Sequence, residues 1–187
     1  MSIFDKLKST AKETLAGVFD KSKTSETISF AALPESLADM QALPEASLDS
    51  PYKAAALSVC ALCAYAADRE IGSEMLNWLR GPAGPMSNAD KQFLNERFSD
   101  NQYYVPFSFF DGTSPENDYT PSEPFTIQMS TNSYSFQNEG YAVVWIKSSG
   151  ADSPRQITLR QKGNQWFLWQ QMLLAGIRKP KSQDPWA

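Results

Sequence analysis

The chain has 187 residues, a hydrophobic fraction of 42% and a net charge of −4 from 17 basic and 21 acidic side chains. That length fits one domain able to bury about 70% of its unfolded surface, and five Trp with eleven Phe exclude a disordered chain. There is no histidine, which excludes Ser-His-Asp and Cys-His nucleophile pairs and the usual zinc sites; the negative balance gives no whole-chain field for a polyanion, so nucleic acid is not an expected partner except through a local patch.

Residues 1–24 read as a separate arm. Ile3, Phe4, Leu7, Ala11, Leu15 and Val18 recur at spacings of three and four, one stripe of an amphipathic helix. Lys8 and Lys12 flank Phe4 and Leu7, a pattern suited to a partner groove, to peripheral contact with an anionic membrane, or to packing on the chain's own domain. Charges run throughout Met1–Lys23, so no secretory signal is expected and the expected compartment is the cytoplasm. Lys21–Thr27 reads as a linker, and residues 25–187 as a single domain.

Ile28–Phe30 has the composition of a short strand and Glu35–Gln41 of a short helix behind Pro34. Ser50-Pro51 is a helix start, with Ser as the cap and Pro in the first turn. The segment from there to Asp68 is apolar on every side, which predicts a helix buried on every side. Ser73 and Ser87 are expected caps of two more helices, Glu74–Arg80 and Asn88–Phe98, with Asp90 completing a capping box. Asn101–Pro124, rich in Pro, Asp, Asn and Tyr, reads as a long ordered loop with aromatic anchors.

From Phe125 the hydrophobic period becomes two. Phe125–Ser130, Tyr134–Phe136, Tyr141–Lys147, Gln156–Gln161 and Gln165–Gln170 are the expected strands, with a tight hairpin at Lys162-Gly163-Asn164. The fold class expected is therefore α+β, a helical N-terminal half followed by a four- to five-stranded antiparallel meander. Trp145, Trp166 and Trp169 fall in strands that are apolar on both sides. That pattern predicts a sheet centre covered on both faces, with all three rings largely buried.

The chemistry-bearing clusters each have a structural explanation. Cys60 and Cys63 sit mid-helix among Ala and Leu, so they are expected as buried thiols and not as a redox pair. Asp111, Glu116, Asn117 and Asp118 offer oxygen ligands, but their spacing does not fit a calcium loop and turn chemistry accounts for them. Asp68, Arg69, Glu70 and Glu74 read as a solvated ion-pair cluster before an acid–base pair. Arg155, Arg160, Lys162 and Arg178 lie near Trp166 and Trp169 in sequence, a combination that binds single strands where the rings are free; rings committed to a core argue against it. Gly81-Pro82-Ala83-Gly84-Pro85 lacks the backbone donors of a phosphate loop. No cofactor is expected.

Several separated motifs carry a family resemblance over about residues 27–187: Ala32-Leu33-Pro34-Glu35-Ser36-Leu37, Tyr119-Thr120-Pro121-Ser122-Glu123-Pro124, Gly150-Ala151-Asp152-Ser153-Pro154-Arg155, Leu159-Arg160-Gln161-Lys162-Gly163 and the ending Asp184-Pro185-Trp186-Ala187. With these the chain resembles a family of bacterial, mostly clostridial, proteins that carries a domain of unknown function. The resemblance implies a bacterial origin and no activity, and it supplies no site residues. The absence of reactive groups beside a large aromatic core and a detachable arm gives the expectation of a non-catalytic binding or adaptor module. Its partner is a protein, a membrane surface or a second copy of the chain. The alternative is a curled-sheet pocket of the nuclear-transport-factor-like type, with Trp145, Trp166 or Trp169 lining a cavity for a small ligand or a reaction.

Overall fold

The computed structural model describes residues 19–187. The expected arm helix, with Phe4, Leu7, Lys8, Lys12, Leu15 and Val18, lies outside the described residues. Phe19 does not: its ring packs against Tyr52, Phe136 and Trp166 at centroid distances of 5.8, 5.9 and 6.4 Å.

The order is strand β1 (Ser25–Phe30), helices α1 (Leu37–Gln41), α2 (Pro51–Ala67), α3 (Arg69–Arg80) and α4 (Asn88–Arg97), then strands β2 (Phe125–Ser130), β3 (Tyr141–Ile146), β4 (Arg155–Lys162) and β5 (Gln165–Gln171). The expected α+β architecture is present. The strands form one antiparallel sheet in the order β1-β2-β3-β4-β5. Tyr134–Phe136 is a turn and not a strand; β2 pairs directly with β3, and the fifth strand is β1, from before the helices, at the edge beside β2.

Helix α2 is the centre. Ser50 caps it, its hydroxyl accepting from Tyr52 N–H at 3.2 Å, and Pro51 occupies the first turn, where the missing N–H costs nothing. Thirteen of its 17 residues are buried. Its buried Ser58 hydroxyl donates back to the Ala54 carbonyl at 2.7 Å. The inner face of the sheet closes over it with Ile28, Phe30, Ile127, Met129, Ala142, Val144, Ile146, Ile157, Leu159, Trp166 and Leu168, all buried. These residues alternate with wetter ones along each strand, as a half-buried sheet requires.

Helix α3 begins five residues earlier than the sequence suggests. Asp68 is the cap, its carboxylate accepting from Glu70 and Ile71 N–H at 2.9 and 3.1 Å. An Asp cap outcompetes Ser73 because it satisfies two of the helix's unpaired donors at once. Helix α4 starts as expected, with the reciprocal Ser87–Asp90 capping box.

The loop 101–124 is ordered by its aromatic residues. Tyr104, Phe109, Phe110 and Tyr119 are buried; the 3-10 segment Gln102–Phe109 carries the first two and ends at Phe110, and a second, Pro115–Asn117, precedes Tyr119. Phe110 and Asp111 pair with β2 where β3 diverges from it. Tyr119 stacks on Tyr104 at 5.3 Å and donates to the Arg178 carbonyl at 2.6 Å, tying loop to C-terminal segment.

Two outcomes follow. A Cβ added at Gly72 of α3 would lie 2.2 Å from the Tyr65 backbone of α2, so Gly72→Ala forces these helices apart. The substitution is expected to cost about 3 kcal/mol, at the upper end of ordinary overpacking, measured by urea unfolding. Burial pushes the Tyr119 hydroxyl from about 10 up to about 12. Its raised value means that the contribution is complete below pH 10 and is lost as pH rises toward 12. Stability of the wild type relative to Tyr119→Phe is expected to fall across that window and to be flat from pH 7 to 9.

Candidate functional site

The reactive-looking residues resolve first. Cys60 and Cys63 are buried at 1% and 3% exposure, and burial raises both thiols well above their ordinary range, so neither is a nucleophile at neutral pH. Asp68 is spent on its cap. In the acidic loop, Asp111 accepts two bonds from Gln128 at 2.9 Å. Glu116 pairs with Lys181 at 3.1 Å, Asn117 closes its own turn through Gly112 and Thr120, and Asp118 accepts from Ser182. Among the described residues no cluster of His, Cys, Asp and Glu has the arrangement of a metal site. The carboxylates whose titration is displaced all move down. The Ser87 bonds to Asp90, the Lys53 ammonium beside Asp49, Lys181 beside Glu116 and Ser22 on Asp20 are the leading causes. A general acid needs the opposite shift.

The three candidate tryptophans do not converge. Trp166 is on the inner face, 1% exposed, against Phe19 and Phe136. Trp145 and Trp169 are on the outer face. Trp145 is half-buried, and Trp169 keeps 42% of its surface in water. The expectation that all three are largely buried is therefore corrected for Trp169, and coverage of both faces holds only for the inner one. The rings cannot line one cavity, because the sheet itself stands between Trp166 and the other two.

A break in register explains Trp169. Leu168 lies opposite Leu159, but Gln170 lies opposite Thr158, so Trp169 is the extra residue of a β-bulge. A bulge leaves its extra residue unpaired and turns the side chain out of the ladder. Trp169 is turned toward Tyr141 of β3, centroid distance 5.8 Å and edge-on. The Arg160 guanidinium lies over both rings, 5.4 Å from Tyr141 and 4.8 Å from Trp169. Register puts Arg160 directly across from Tyr141, so the sheet fixes this cluster. A cation on a ring face is worth about 0.5–1 kcal/mol at an exposed site.

Trp169 also divides two clefts at the edge of β5. One, of about 270 Å³, is largely apolar, with Leu62, Leu76, Met86, Phe93 and Leu94 among its walls. The other, of about 300 Å³, is walled by Arg80, Arg160, Lys162, Phe167 and Trp169 and has no carboxylate in its lining. Arg80 serves both. Its position follows from Gly81, whose positive φ of 49° ends α3. A Cβ there would meet the Phe167 ring at 2.3 Å, so glycine permits both the turn and the close approach to β5. Of the other basic candidates, Arg155 is structural, donating to the Ala175 and Gly176 carbonyls at 2.9 Å. Arg178 pairs with Asp152 at 2.8 Å.

An α+β domain with one fully enclosed helix, one dry sheet face and an aromatic, basic outer face is thus defined. The description of a domain of unknown function, DUF6935, matches residues 32–181; the chain belongs to that family. The Asp184-Pro185-Trp186-Ala187 ending lies beyond the match. Comparison with curated proteins and with solved structures gave no match.

Opposite outcomes are expected for two tryptophans three residues apart. Trp166→Ala removes a ring from the inner face and should cost about 3–5 kcal/mol. Trp169→Ala removes a half-wet ring and should cost under about 1 kcal/mol. Chemical denaturation of the two variants, followed by far-UV circular dichroism, measures both.

Proposed function

We propose that this chain is a non-catalytic binding or adaptor module of the bacterial cytoplasm, and that its partner docks on the outer face of β3–β5 around Trp169. The observation that carries the reading is the bulge that holds Trp169 in solvent beside Arg160 and Tyr141. A surface-facing antiparallel strand normally presents polar side chains. Retaining a large ring there, in register with a cation and at the junction of two clefts, has no value for the core. Exposed aromatic and Arg residues are the types that carry binding energy at interfaces.

Support also comes from the disposition of the reactive groups. The thiols are buried, and the titration-shifted carboxylates are held down by caps and ion pairs. No helix of the described residues is long and apolar enough to cross a membrane.

The test is capture from the producing bacterium with tagged wild type, Trp169→Ala and Arg160→Ala. Both variants should keep near-native melting temperatures, because neither side chain belongs to the inner face. Each should reduce recovery of the wild-type partner by tenfold or more, as expected of a residue worth about 1.4 kcal/mol or above. Undiminished recovery by both variants overturns the assignment of the surface.

A further inference from the structure

Charge in this chain is segregated. From Tyr141 to Ala187 there are seven Lys and Arg and only two carboxylates, Asp152 and Asp184, although the chain as a whole carries −4. Strands β3, β4 and β5 contain Arg155, Arg160 and Lys162 and no carboxylate at all, and Lys147 follows directly after β3. Among the described residues, Arg160, Lys162 and Lys147 have no carboxylate at ion-pair distance.

The same face holds a row of rings. Alternation places Tyr141, Val143 and Trp145 outward on β3, opposite Arg160, Thr158 and Gln156 of β4. Trp169 joins them through its bulge. Tyr141 and Trp145 stand four residues apart along one strand, about 13 Å.

We propose that the outer face of β3–β5 binds single-stranded nucleic acid, bases stacking on Trp169, Tyr141 and Trp145 and phosphates lying against Arg160, Lys162 and Lys147. The inference rests on the reading of this face as the binding surface and names its partner. A basic stripe on one face with interleaved rings that reach solvent, here Trp169 exposed and Tyr141 and Trp145 half-buried, is the footprint of such binding. Every base has a π-face, so recognition is tolerant of sequence. A duplex keeps its bases stacked inside, and a sheet face this broad has no element that enters a groove. An acidic peptide would account for the cations but leaves the rings on two strands without a role. Arg160 already lies over two rings, so a phosphate that pairs with it is delivered beside a base that stacks on Trp169.

The probes are fluorescein-labelled oligo-uridylate and oligo-deoxythymidylate of about twelve nucleotides, read by fluorescence polarisation at about 50 mM salt. Both should bind and quench tryptophan fluorescence, with affinity falling about tenfold or more at about 200 mM. Trp169→Ala should weaken binding about tenfold, as loss of one stacked base does, and Trp169→Phe should restore much of it. Arg160→Ala with Lys162→Ala should weaken binding to both oligomers alike and flatten the salt dependence. A labelled polyglutamate peptide and a duplex of the same length are run in parallel. Equal affinity for polyglutamate, insensitive to Trp169→Ala, or preference for the duplex, overturns the proposal. Failure of both oligonucleotides at about 50 mM, by folded protein, also overturns it. If the partner captured from the bacterium survives nuclease treatment and still depends on Trp169, the binding-module reading stands and the nucleic-acid assignment is wrong.

Discussion

A helix of 17 residues with no wet side has to be enclosed, and enclosure of α2 is the constraint that the rest of the chain answers to. An amphipathic helix needs one cover; an apolar one needs cover all round. The sheet supplies one side through its inner face, α3 a second across the Gly72–Tyr65 contact, and the loop 101–124 a third through Val105 and Phe109. Each cover is itself tied down. The loop hangs from buried hydroxyls, Ser148 donating to Ser108 and Thr113 bonding Ser149, and from Tyr119 on the Arg178 carbonyl. A loop that covers a core cannot leave its polar groups unpaired, which is why so long a connection is ordered.

That constraint also accounts for what is left outside. The main apolar client of the sheet is α2, which shares the inner face with α3 against β5 and with Phe19 and Phe136 against Trp166. The Gly81–Ala83 turn packs on Phe167 of β5, and the described residues leave the rest of the outer face of β3–β5 partly open, so its composition is largely free of the core's demands. The outward side chains there include Tyr141, Val143, Trp145, Gln156, Thr158, Arg160, Lys162, Phe167 and Trp169, a mixture that packing on α2 does not explain. A large ring half in water contributes little to stability and keeps apolar surface exposed. Its retention on the surface points to contacts made outside the fold.

Helices α2 and α4, the hairpin at Gly163-Asn164 and the burial of the thiols were legible because each has a local cause: a cap, a turn residue or an unbroken apolar helix. The strand at 134–136 was misread for the converse reason. Three alternating residues carry a strand's period, but the Ser135 and Asn132 side chains close a turn there, and local side-chain bonds of this kind compete with a ladder. The bulge at Trp169 left no mark in the sequence. Gln165–Gln171 contains neither Gly nor Asn to betray an irregular residue, and strict alternation already places Trp169 opposite Trp166. What alternation could not reveal is how little the described residues cover Trp169 on that side. Coverage is a property of the whole topology, and the sequence pattern of a strand apolar on both sides is the same whether a layer of protein or a binding partner covers its outer face.

The net charge misleads for a related reason. A total of −4 averages a basic C-terminal segment with an acidic remainder, and averaging is legitimate only if a partner feels the whole molecule. At physiological ionic strength the Debye length is about 8 Å, so a ligand on the outer sheet face responds to the cations beside it and is screened from carboxylates on the far helices. The distant charge still matters at long range, where it slows the approach of any polyanion and limits affinity. A face that is locally attractive on a molecule that is globally repulsive should bind weakly and reversibly. It should also lose that grip steeply with salt, because the attraction comes from a few solvent-exposed cations and not from a buried pair.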